Sequence, residues 1–183
     1  MSDDTSSPED RLHAWWDQGP IVPSRPLLVI AGPCVLESDD VNLQIAERMK
    51  VACDAAGAML VFKASFDKAN RSSIRSDRGP GLERGLHQLE LVGREFDVPL
   101  LTDVHEASQA MPASEVVDIL QIPAFLCRQT DLLVACGITG SAVSVKKGQF
   151  LAPWEMQNIV DKVFPHFAKE ETAAEKAMQR GER

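Results

Sequence analysis

The chain has 183 residues, 44% hydrophobic and 25% charged, the composition of one soluble globular domain. Its formal net charge of −8 argues against a general affinity for nucleic acid or anionic membrane. No apolar run approaches the ~18 residues of a membrane span, and Cys34, Cys53, Cys127 and Cys136 show no CxxC spacing, which points to free thiols.

Residues 1–26 are polar, with Pro20, Pro23 and Pro26 near their end, and are expected to form a flexible arm with Trp15 and Trp16 docking on the body. Their acidic start lacks the basic and apolar regions of a signal peptide, so a cytoplasmic protein is expected. Leu27–Ile30 is a short continuous apolar run, as in a strand buried on both faces. Ser38 is placed to cap a helix through about Gly57, with Ile45, Met49, Ala52 and Cys53 on one face. A second strand is predicted over Ala58–Lys63, then a long loop to Gly81 and a helix through Phe96. Pro99–Val104 reads as a third strand, 107–112 as a short helix and Val116–Ile122 as a fourth strand. Arg128–Cys136 reads as a helix with Gly137 as its stop, Ala142–Lys146 as a fifth strand and Pro153–Val163 as a last helix.

Alternating strands and helices with short connections imply a parallel sheet. Polar residues gather at the predicted strand ends: Gly32-Pro33-Cys34, Lys63, Asp103 with His105, Gln121 and Lys146. That placement marks the active face of a (β/α)8 TIM barrel. A barrel needs eight units and about 250 residues, whereas five βα units are legible here. The division expected is an arm over 1–26, a partial barrel over 27–163 and an unrelated charged tail over 164–183, rich in Ala, Glu and Lys. A frameshift, a premature stop or a misjoined reading frame would each produce that pattern.

The stretch Val61–Ser73, VFKASFDKANRSS, sets Lys63, Lys68, Asn70, Arg71, Ser72 and Ser73 directly behind a strand. So many cations and hydrogen-bond donors suit phosphate or carboxylate oxygen, although a solvated loop has the same residue types. Cys34 reads as a metal thiolate or a small thiol, and His105 as a chemical or a capping residue. Arg128 reads as a phosphate ligand near a helix N-terminus or a surface arginine. Lys147 alternates away from Lys146 and reads as solvated or paired. No P-loop, GxGxxG or Ser/His/Asp constellation is present.

Together with Ala31–Ser38, Arg78–Leu82, Leu101–Glu106, Gln121–Leu126 and Val145–Phe150, this stretch closely resembles the 3-deoxy-D-manno-octulosonate-8-phosphate synthase family, in family order over residues 27–163. The resemblance implies condensation of phosphoenolpyruvate with D-arabinose 5-phosphate, a step toward lipopolysaccharide. It implies Lys63, Lys68, Asp103 and His105 as catalytic residues. Lys68, Lys146 and Gln121 would hold phosphoenolpyruvate, and Asn70, Arg71 and Ser72 arabinose 5-phosphate. Cys34, where metal-independent members carry asparagine, implies the metal-dependent class with Zn²⁺ or Fe²⁺. The other family ligands belong to later strands, so this chain is expected not to bind the ion. The family also implies a homo-oligomer, commonly a tetramer. Two alternatives remain open at this point: an inactive remnant of that enzyme, and a related synthase using erythrose 4-phosphate.

Overall fold

The computed structural model describes residues 7–17 and 26–164. The 164–183 tail, apart from Phe164, lies outside the described residues, as does much of the 1–26 arm. The elements are α1 (Pro8–Trp16), β1 (Leu28–Ala31), α2 (Asp39–Ala55), β2 (Met59–Lys63), α3 (Leu82–Phe96), β3 (Leu100–Asp103), α4 (Ala107–Ser114), β4 (Ile119–Ile122), α5 (Thr130–Ile138), β5 (Ala142–Val145) and α6 (Met156–Val163). Short 3₁₀ turns precede α5 (Ala124–Leu126) and α6 (Pro153–Glu155). Among the described residues, no helix is long and apolar enough to cross a membrane.

The five strands are parallel and lie in sequence order, β1-β2-β3-β4-β5. Each successive strand is added on the same side, which is the winding of a barrel wall; β1 and β5 are its edges. Residues alternate between the two faces of each strand. Leu60, Phe62, Leu100, Leu120 and Ile122 pack against the helices in the main core. Val61, Leu101 and Ile119 face the other way and pack with Leu12 of α1 in a second cluster.

Residues 8–16, which the sequence places in a flexible arm, therefore form a helix with a buried anchor. Ser7 caps it: the Asp10 N–H donates to Ser7 Oγ at 3.1 Å, and the Asp10 carboxylate accepts from the Ser7 N–H at 3.1 Å. Leu12 is only 4% exposed, and Arg11 pairs with Asp97 at 2.9 Å. Trp15 donates Nε1–H to the carbonyl of Pro26, the last residue of the expected arm, and Trp16 stays exposed.

The other elements fall close to expectation, with instructive exceptions. Ser38 caps α2, but the buried face carries Asn42, Ala46 and Cys53, and Ala52 is exposed. Helix α5 begins at Thr130, so Arg128 precedes it. Gly137 does not stop α5 but lies inside it, where α6 crosses: a Cβ there would stand 1.8 Å from the Val163 carbonyl oxygen. The glycine is a helix-contact residue, and local sequence alone cannot tell that role from a cap.

Candidate active site

Two residues beyond Val61, Leu101 and Ile119, the same face of the sheet carries Lys63, Asp103 and Gln121. The face is thus apolar at its floor and polar at the strand C-terminal ends. Asp103 and Gln121 are register partners across β3 and β4.

The polar layer is organised by Ser65, which is fully buried. The Lys63 and Lys68 ammonium groups each donate to Ser65 Oγ at 2.8 Å. Ammonium groups only donate, so both lone pairs of the hydroxyl are occupied and its proton goes to Asp103 Oδ1. Lys63 Nζ also stands 3.3 Å from Asp103 Oδ1. His105 Nε2 lies 3.1 Å from Asp103 Oδ2 and must donate if that carboxylate is ionised. The His105 backbone N–H donates to Gln109 Oε1 at 2.8 Å, and Phe66 meets the imidazole edge-on at 5.9 Å. His105 Nδ1 is buried without a partner among the described residues.

These contacts set the ionisation of the group. Burial alone would raise the Asp103 carboxyl, but hydrogen bonds from His105 and Ser65 and the charges of Lys63 and Lys68 hold it well below the usual carboxylate range. Lys63 moves the other way from a typical paired lysine. Burial pushes its ammonium down, Lys68 and Lys146 reinforce that, and Asp103 opposes it. Lys63 and Lys68 flank Asp103 and Lys146 lines the same opening, so cations outnumber the carboxylate there, the condition under which an anion is attracted.

A cleft of about 470 Å³ opens over this layer. Lys63, Lys68, Asn70, Asp103, His105, Gln121 and Lys146 all line it. The remaining expected residues do not. Arg71 and Ser72 lie on the exposed loop, with Arg71 Nε donating to the Asp77 carbonyl at 2.9 Å. Arg128 lines a separate depression with Glu155 and Asp161. Lys147 turns from Lys146 and donates to the carbonyls of Gly148 and Leu151. Ser65, Phe125 and Gln149 join the expected residues: Ser65 is the hub and the other two line the cleft. Ser65 was legible in principle, being two residues after Lys63 and so on its face.

Cys34 is exposed at the end of β1 and does not line the cleft. Among the described residues, no three His, Cys, Asp or Glu side chains gather closely enough to hold an ion. The described donors therefore do not fit a Zn²⁺ or Fe²⁺ site.

A model of the DAHP synthetase I family matches residues 22–182. The match runs past Val163 into the charged 164–183 segment. Proteins called 2-dehydro-3-deoxyphosphooctonate aldolase are similar over most of the chain. The one from Citrifermentans bemidjiense is 56% identical over 139 residues, 76% of this chain and 51% of the relative. The one from a Synechococcus strain is 59% identical over 138 residues, 75% of this chain and 49% of the relative. The Fusobacterium nucleatum protein is 60% identical over 136 residues, 74% of this chain and 49% of the relative. The chain thus spans about half the length of the curated relatives it matches.

Proposed function

Because the chain belongs to the DAHP synthetase I family, we propose that its cleft serves the condensation of phosphoenolpyruvate with D-arabinose 5-phosphate and water. The products are 3-deoxy-D-manno-octulosonate 8-phosphate, a lipopolysaccharide precursor, and inorganic phosphate. One observation carries the reading: three lysine side chains, Gln121 and Asn70 face one cleft around a carboxylate held ionised. The names of the relatives support the choice of sugar acid.

In this reading Lys63, Lys68, Lys146 and Gln121 hold the phosphate and carboxylate of phosphoenolpyruvate. Asn70 on the cleft and Arg71 and Ser72 on the exposed loop beyond it are the residues assigned to arabinose 5-phosphate. C3 of phosphoenolpyruvate forms the new bond to the aldehyde carbon, whose oxygen gains a proton. Water adds at C2 and loses a proton to solvent. The C2–O bond to phosphate then breaks. Most of the contribution of these residues is alignment of two anions and neutralisation of their charge. The family relationship further supports a soluble cytoplasmic homo-oligomer, with a tetramer as its form.

Phosphoenolpyruvate titrated into the chain in a calorimeter is expected to bind, and Lys146→Ala to weaken binding at least tenfold. Phosphate release with arabinose 5-phosphate and erythrose 4-phosphate, assayed side by side, tests the acceptor. Preference for the four-carbon sugar would overturn the assignment, and absence of phosphoenolpyruvate binding would overturn the site.

A further inference from the structure

The loop between β2 and α3 carries Lys68 and Asn70 into the cleft, yet its tip is bare: Ile74 is 98% exposed. What holds the loop is its neck. There Arg78 forks onto Asp67, Nε donating to Oδ1 at 2.7 Å and Nη2 to Oδ2. The backbone runs together at the same place: the Lys68 N–H donates to the Arg78 carbonyl at 2.7 Å and the Gly81 N–H to the Phe66 carbonyl at 3.0 Å. Gly79 permits this closure. Its φ is +107°, and a Cβ would stand 2.6 Å from Val35 Cγ2 and 2.8 Å from the Phe66 carbonyl oxygen. Asp67 is one residue from Lys68, whose ammonium reaches Ser65.

We infer that Asp67 and Arg78 form a positioning clasp: their forked ion pair closes the neck of the 67–78 loop and so sets the Lys68 ammonium on Ser65 and Asn70 on the cleft. Neither residue lines the cleft, so the pair acts through Lys68 and Asn70. A fork fixes direction as well as distance, which a point charge does not. The pair is open to solvent on the arginine side, 57% exposed against 17% for Asp67. The clasp therefore orients the loop more than it stabilises the fold. The inference rests on the proposed role of the cleft only for its functional meaning, and the geometry can be tested separately.

The test uses the full chain with Asp67→Asn, Asp67→Glu and the exchange Asp67→Arg/Arg78→Asp. Thermolysin cleavage at Ser73–Ile74 reports the loop, and acetylation of Lys68 read by mass spectrometry reports its ammonium. Lys50, on α2 and paired with Asp54, is the internal reference. Asp67→Asn should raise Ser73–Ile74 cleavage about tenfold and Lys68 acetylation several-fold at unchanged Lys50 labelling. The exchange should restore both, and Asp67→Glu should stay close to the parent. Unchanged rates in Asp67→Asn, or an exchange that restores neither, would overturn the clasp. So would faster loop cleavage with unchanged Lys68 labelling, because the pair would then be structural only. Protection of Lys68 by phosphoenolpyruvate is a separate arm: its absence from every variant, with the other rates as expected, would reject the proposed function and leave the clasp standing.

Discussion

Ser65 shows how one small side chain can decide the state of several large ones. Its hydroxyl spends its whole hydrogen-bonding capacity on Lys63, Lys68 and Asp103. Ser65→Ala would leave both ammonium groups without that acceptor in a partly desolvated place. A loss of roughly 1–3 kcal/mol is expected, read as a lower urea midpoint at constant slope. Phosphoenolpyruvate binding should weaken with it, and Ser65→Thr should restore part of both. Asp103 yields a pH test with a definite sign. Its folded pKa lies below its unfolded value of about 3.9, so the folded state binds fewer protons there. The associated stability is fully present above that unfolded value and is lost as pH falls toward the folded pKa. Thermal melts from pH 6 down to 2 should show the loss, and Asp103→Asn should flatten the acid limb; an unchanged acid limb would refute the assignment. Lys63, depressed by burial, acts in the opposite pH range: stability rises as pH climbs toward the ordinary lysine value near 10.4.

At the scale of elements, helices and strands meet where small residues let them. Gly137 brings α5 against the carboxyl end of α6, with the Val163 carbonyl occupying the space a side chain would need. Glycine to alanine in an exposed helix gains about 1 kcal/mol from propensity. Here the sign should reverse. Gly137→Ala must push α6 away, at a cost of roughly 1–3 kcal/mol. Chemical denaturation measures it, and a stabilised variant would show that the crossing gives way without penalty. The N-terminal helix obeys the same logic from the other face: without Leu12, the apolar floor of Val61, Leu101 and Ile119 would lie open.

The whole molecule combines an acidic surface with a cationic cleft. The net charge is −8, yet Lys63, Lys68 and Lys146 face one opening, so the local potential and the global charge have opposite sign. Among the described residues the sheet is open along β1 and β5. Ile30 on β1 is 45% exposed and Leu27 beside it 69%. Unpaired edge strands of apolar character invite association. Concentration-dependent light scattering is expected for the chain, and Ile30→Lys, which puts a charge on that edge, should reduce it severalfold. A parent that stays monodisperse at high concentration would contradict this reading.

Much of this organisation follows from sequence alone. Short apolar runs and helical patterning place the five strands and most helix bounds, because both are local properties of the chain. The ordered motifs from Ala31 to Phe150 bring Lys63, Lys68, Asn70, Asp103, His105, Gln121 and Lys146 forward as a set, and strand alternation puts several on one face. Three-dimensional packing decided the rest. That Leu12 lies against β2–β4, that Gly137 serves a helix crossing and not a stop, and that Arg128 lines a depression apart from the cleft depend on contacts between residues far apart in the chain. The hub role of Ser65 is of the same kind. A serine after a lysine is unremarkable in a string of letters; it becomes a junction because β3 brings Asp103 alongside and the following loop returns Lys68 to the same oxygen.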